Sequence, residues 1–354
     1  MAKLGIPITK LTPLLANKGW TLCIGAGTSI PMFPSWRSLV QSMLEKDFGS
    51  PLAAKLISPL AATFGLDALI QAGRDRLALG SEEFARLLSE QLYEGVKKTL
   101  SAKEWKTFSR ALTSFHPGDM PIEMWKDFLT ITESHYGSVT ALPLARAVAR
   151  AMNTNQRPSA ILSFNAEPLL YALINSMVAT SFEIDKRSGN NLKAILDRVT
   201  RSVSNRDADR IPFAFCHGLL PVEAKSSPKG TAVDKLVFSE SEYLQLANSG
   251  FSWQSSIFFD SCMSRAVVFV GLSFSDPNLR RWLGIMHQNR LSELKIMGEN
   301  VADSAPHYWL RPALTSAEER RWVESAVAHL GVRLVWLDTW DQSGLAIQKM
   351  LGIS

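Results

Sequence analysis

The chain has 354 residues, 46% of them hydrophobic and 20% charged, with a net charge of +5 and a pI near 9.1. That length holds one large domain or two smaller ones around a substantial core, and the mild, diffuse positive charge suits an anionic ligand without calling for nucleic acid, whose direct binding is not expected. Three dispersed cysteines with no CxxC pair exclude a zinc ribbon and a disulfide framework. No apolar stretch approaches the roughly 20 residues that span a bilayer. The opening MAKLGIPITK lacks a signal-peptide core, so a cytoplasmic location is expected.

In chain order, the first predicted element is a strand over Leu22-Cys23-Ile24 that runs straight into Gly25-Ala26-Gly27-Thr28-Ser29. A glycine turn after a strand lets backbone approach a pyrophosphate closely, although this one lacks the third glycine of GxGxxG and equally serves as a plain connection. Ser35 is placed to cap a helix carrying Trp36, Leu39, Val40, Met43 and Leu44, which Gly49-Ser50-Pro51 ends. Residues 50–155 then show helical periodicity and almost no alternation, so they read as an inserted helical domain.

From Ser159 the pattern changes to short β-rich runs: SAILSFN, PFAFCHG, KLVFS, AVVFVGLSF, HYWLRP and RLVWLD. The helices between them have legible starts. Pro168 opens one, Ser239 with Glu242 forms a capping-box pattern, Asp276-Pro277 pairs an N-cap with proline at the first helical position, and Ser316 with Glu319 is a second box. The polar stretch from Asn190 to Arg210 reads as a loop or a loosely held helix. Strands alternating with helices imply an α/β fold with a doubly wound, mainly parallel Rossmann-like sheet. The expected division is a sheet domain of residues 1–49 and 156–354, with residues 50–155 inserted.

Four predicted strands end in polar or glycine residues: Gly25–Ser29, Asn165 with Glu167, His217-Gly218, and Gly271 to Asp276. In an open parallel sheet such ends share one rim, where ligands bind. Each also has a structural reading. Asn165 could cap the next helix, His217 could sit in a turn, and Asp276 reads as an N-cap whatever else it does.

Taken together, GAGTSIPMFPSW at 25–36, ILSFNAEPLL at 161–170, CHGLL at 216–220, LVFSESEY at 236–243, VGLSFSDPNLRRWL at 270–283 and GVRLVWLD at 331–338 resemble the sirtuin-like proteins of bacterial anti-phage defence. The resemblance implies NAD as substrate, bound by Gly25, Ala26, Gly27, Thr28, Ser29, Pro34, Trp36, Glu167, Gly271, Ser273 and Asp276, with Asn165 and His217 catalytic. Two departures matter. Asn165-Ala166-Glu167 stands where the family shows Asn-Tyr-Asp, and three cysteines cannot build the four-cysteine zinc module of the deacylases, so neither zinc nor any other metal is expected. The resemblance therefore implies an NAD hydrolase that releases nicotinamide and ADP-ribose and depletes cellular NAD during infection. Control is expected from the helical insertion, homo-oligomerisation or a partner protein such as a separate ATPase of the HerA type. A non-catalytic module that binds NAD or ADP-ribose stays open beside it, as does a protein deacylase or ADP-ribosyltransferase.

Overall fold

A computed structural model of the chain describes residues 5–16, 18–152, 154, 156–181, 195–200, 209–222, 236–248, 252–299 and 305–353. Among the described residues, eight strands form one parallel sheet: β1 (Ile6–Pro7), β2 (Trp20–Ile24), β3 (Ala160–Ser163), β4 (Leu196–Val199), β5 (Ile211–Phe215), β6 (Ala266–Val270), β7 (His307–Pro312) and β8 (Val332–Leu337). Their spatial order is β1-β8-β7-β6-β2-β3-β5-β4. The central strand β2 pairs Leu22 with Ile161 on one side and with Val268 on the other. From β2 the chain lays β3 beside it, β4 at the edge and β5 between those two, then returns to lay β6, β7 and β8 on the opposite side. The order reverses at β2, and the crevice beyond its carboxyl end is the position where open parallel sheets take ligands.

Among the described residues the helices are α1 (Trp36–Phe48), α2 (Ser50–Phe64), α3 (Leu66–Arg76), α4 (Ser81–Thr99), α5 (Ala102–Thr113), α6 (Ile122–Tyr136), α7 (Ala141–Met152), α8 (Leu169–Ser181), α9 (Glu240–Asn248), α10 (Trp253–Ser264), α11 (Pro277–Ile296), α12 (Ala317–Ala328) and α13 (Ser343–Leu351). Strand alternation sorts side chains onto two faces. Trp20, Leu22 and Ile24 join an apolar core with α1 to α8 and α13, while Cys23, Leu162 and Phe269 join a second core with α9 to α12. A sheet covered by helices on both faces explains why its strands read as unbroken apolar runs. The helices of residues 50–152 share the first of these cores with the sheet.

Three local readings are corrected. The stretch Asn190 to Arg210 was expected to lack a strand, yet Leu196–Val199 forms β4 at the sheet edge, with its neighbours 182–194 and 201–208 outside the described residues. Short β1, carrying Pro7, closes the other edge and gave no sequence signal. The run KLVFS was expected to be a strand, but Leu236, Val237 and Phe238 are all buried outside the sheet. The Val237 N–H donates to the His217 carbonyl at 3.0 Å, and the Phe238 ring packs on Trp36 with centroids 5.2 Å apart. Bonded to the turn after β5 rather than to a strand's ladder, the three residues pack beyond the end of β5. Two of the expected caps form as read: Ser35 accepts from the Ser38 N–H at 3.2 Å, and Asp276 opens α11. No single helix among the described residues is long and apolar enough to cross a membrane; α2 and α3 meet that test only when counted together across a 119° bend.

Candidate functional site at the strand ends

The four strands with polar ends are neighbours in the order β6-β2-β3-β5, so their ends lie side by side along one rim. After β2 the glycine turn winds into a single 3-10 turn over Ala26–Thr28. It is clasped to the turn after β6: the Gly27 N–H donates to the Gly271 carbonyl at 2.9 Å, and the Gly25 N–H to the Val270 carbonyl at 3.0 Å. A Cβ on Gly271 would stand 2.5 Å from the Thr28 nitrogen, and its φ of +69° lies in the left-handed region. Internal backbone packing is therefore enough to require glycine here. The tip of the turn, at Ala26, is exposed. Three residues past Gly271, Phe274 holds a φ of +55° with its ring buried between Phe269 and Trp309.

Beyond β3, Asn165 is 4% exposed and Glu167 5%. The Asn165 amide Nδ2 lies 3.2 Å from Thr28 Oγ1, 3.2 Å from Ser29 Oγ and 2.9 Å from Glu167 Oε1. Ser29 Oγ donates to the same Glu167 oxygen at 2.5 Å. The other Glu167 oxygen accepts from the Leu169 N–H at 2.5 Å, at the first turn of α8. Glu167 thus caps that helix, the role that Asn before Glu-Pro suggested for Asn165. Burial pushes the Glu167 carboxyl up to about 7, against the pull of hydrogen bonds from Ser29, Leu169 and Asn165. The remaining amide atom, Asn165 Oδ1, is buried and has no hydrogen-bond partner.

Beyond β5, the His217 ring is boxed edge-on by Phe164 (centroids 4.9 Å, 85°) and Tyr243 of α9 (5.5 Å, 84°). Its Nε2 lies 3.7 Å from Asp276 Oδ2, too far for a hydrogen bond. Asp276 Oδ1 accepts from the Asn278 and Leu279 N–H groups of α11 at 2.8 and 3.2 Å. Burial lowers the His217 pKa below its ordinary value, opposed by the Asp276 charge and by a hydrogen bond to the Phe164 backbone. The imidazole is therefore neutral at pH 7 and able to accept a proton. Asp67 of α3 enters the same field. Its carboxyl is pushed up to about 6 by burial first and by Asp276 second, while a hydrogen bond from Trp36 pulls it down.

The structure thus assembles Thr28, Ser29, Asn165 and Glu167 into one hydrogen-bonded cluster, clasps Gly25 to Val270 and Gly27 to Gly271, and sets His217 beside Asp276. Trp36 joins the rim through Phe238 and Asp67. Pro34 is half-buried between Phe33 and the Ser35 cap, and the exposed Ser273 hydroxyl pairs with Ser275 at 2.6 Å. Sequence reasoning missed Phe164, Tyr243 and Asp67. Phe164 and Tyr243 read as ordinary apolar positions, and an acid in the first turn of a helix is common for electrostatic reasons alone. A broad groove of about 1180 Å³ between α1, α4 and α5, lined by Lys46, Arg86, Glu90 and Trp105 among others, contains none of these rim residues. No group of three or more potential metal ligands occurs among the described residues. All three cysteines are buried, and burial raises the Cys216 thiol to about 12.

Fold and rim define an α/β protein with a Rossmann-like parallel sheet and a crevice at its reversal point. Residues 188–330, less than half of the chain, match a family model described as SIR2-like domain, which supports a Sir2-like protein with an NAD-related role. The matched segment contains His217, Gly271, Ser273 and Asp276, but neither the β2 glycine turn nor Asn165. No curated protein matches the chain.

Proposed function

We propose that the strand-end crevice hydrolyses NAD to nicotinamide and ADP-ribose. The observation that carries this reading is Asn165: a buried amide whose nitrogen is anchored by three neighbours and whose oxygen is left without a partner. An unsatisfied buried polar atom costs about 1–3 kcal/mol, so its retention at a strand end points to a ligand that satisfies it. A ribose hydroxyl or an attacking water supplies the missing donor.

The chemistry fits the groups at hand. Cleavage of the nicotinamide–ribose bond builds positive charge on the sugar, as in glycoside hydrolysis, and nicotinamide departs as a neutral base. Water adds to the sugar carbon and gives up one proton. Neutral His217, one strand away, is the candidate acceptor, and such assistance is typically worth about 10²–10⁴-fold. Asn165 orients and His217 takes the proton.

The role in anti-phage defence, and control by self-assembly or a HerA-type ATPase, extend this proposal and rest on the motif resemblance. Residues 50–155 as a separate inserted domain belong to the same proposal. A second reading, a module that holds NAD or ADP-ribose without turnover, is favoured by Glu167, whose two oxygens are both engaged internally. Incubating the purified chain with NAD, alone and with the neighbouring gene's product, and measuring free nicotinamide separates the two. Release that is lost in His217→Ala supports hydrolysis. Saturable NAD binding with no release under either condition refutes it.

A further inference from the structure

The helices between β2 and β3 reach the rim through a contact that joins Glu242 of the LVFSESEY run to a residue outside every sequence motif. Arg74, near the end of α3, pairs its Nη1 with Glu242 Oε1 of α9 at 3.1 Å, and both side chains are about one-fifth exposed. The rest of the guanidinium is also held. Nη2 donates to Ser81 Oγ at 3.0 Å, Nε donates to the Leu79 carbonyl at 3.4 Å, and the group lies over the Phe84 ring at 4.9 Å. On the other side, Glu242 Oε2 accepts from the N–H groups of Phe238 and Ser239 at 2.8 and 2.9 Å, the amides that lead into α9. Gln71 of α3 adds a bond from the Ser241 hydroxyl at 2.8 Å.

The next residue along α9 is Tyr243, whose ring closes one side of the His217 box. The Tyr243 carbonyl accepts from Asn278 Nδ2 of α11, the helix that Asp276 caps. A continuous path therefore runs from α3 through Arg74 and Glu242 to Tyr243 and the imidazole. A lone surface ion pair contributes little, but this one is shielded and each partner is fixed by further bonds.

We propose that Arg74 and Glu242 are positioning residues: their pairing seats α9 so that Tyr243 holds the His217 ring dry and in place. This rests on reading His217 as part of the functional site. Neither residue reaches the ring itself. Through them the helices ahead of β3 gain a handle on the proton acceptor at the end of β5.

The test follows the His217 ring by NMR titration in the full chain, its resonance assigned by its absence in His217→Gln, with Arg74→Gln and Glu242→Gln compared with the parent. Glu242→Gln keeps one oxygen for the two α9 amides but cannot also serve Arg74. The two changes alter local charge in opposite senses. A direct field effect raises the imidazole pKa when the arginine is lost and lowers it when the glutamate is lost. Loosening of α9 hydrates the ring and raises it in both. The expected result is an upward shift of about half a unit or more in both variants, with a smaller one in Arg74→Lys. Shifts of opposite sign, or none in Glu242→Gln, overturn the proposal. Nicotinamide release is measured on the same samples. If the parent shows none, alone or with the neighbouring gene's product, the hydrolase reading fails, while the titration still decides the clasp.

Discussion

Asn165→Ala separates a functional amide from a structural one. The substitution removes the hydrogens that Nδ2 offers to Thr28, Ser29 and Glu167. An NH2 group has two hydrogens for these three acceptors, so about two net bonds are lost, at about 0.5–1.5 kcal/mol each. It also deletes Oδ1, a buried acceptor with no partner, whose removal returns about 1–3 kcal/mol of desolvation. No helix cap is lost, because Glu167 performs that role for α8. The opposing contributions nearly cancel, and the expected change in stability is within about 1.5 kcal/mol of zero. Under the proposed role, turnover is expected to fall about 100-fold or more, because that role makes Asn165 the group that orients water and ribose. Urea unfolding and nicotinamide release measured on one preparation give both numbers. A loss above about 3 kcal/mol with turnover per folded molecule unchanged refutes the assignment and makes Asn165 a structural tie.

Two further outcomes follow from the rim. The His217 pKa is lowered, mainly by burial, and under the proposed role its neutral form is the competent one, so kcat/KM is expected to hold at pH 7 and fall on the acid side with an apparent pKa below the ordinary 6.5 of histidine; His217→Ala is expected to remove that limb with the activity, and a limb above 6.5 in the parent refutes the role. Gly271→Ala places a Cβ against the Thr28 nitrogen at a φ of +69° and is expected to cost about 2–5 kcal/mol from left-handed strain and overpacking together, seen as a lower urea midpoint; a midpoint unchanged from the parent shows that the two turns are not clasped as described.

The sheet was legible where burial is complete. β2, β3, β5 and β6 are apolar runs ending in glycine or polar residues, and parallel order followed from the helices between them. β4 was not, because Asp197 and Arg198 are only half-buried at its edge and break the apolar run. Leu236–Phe238 misled for the opposite reason: burial alone imitates a strand when the segment is too short to test for alternation. The polar strand ends could be found by eye, since a sheet's topology places them on one rim whatever their partners. Their electrostatics could not. The box around His217 joins Phe164 to Tyr243, and the field at Asp276 includes Asp67, pairs distant in sequence that only the packed helices bring together.

The position of β2 bears on how the protein is made. Its five residues are synthesised before both of its lateral partners, β3 and β6, and β1 waits for β8, where Ile6 meets Val335. A nascent chain that has reached residue 150 holds the middle strand with neither neighbour, an apolar segment in need of shelter. Such long-range pairing makes folding slow and defers it until the last third of the chain is out. The clasp between Gly27 and Gly271 closes only after β6 has docked. Polypeptides cut short before that point lack the far wall of the crevice, so translation products that end early carry no finished site.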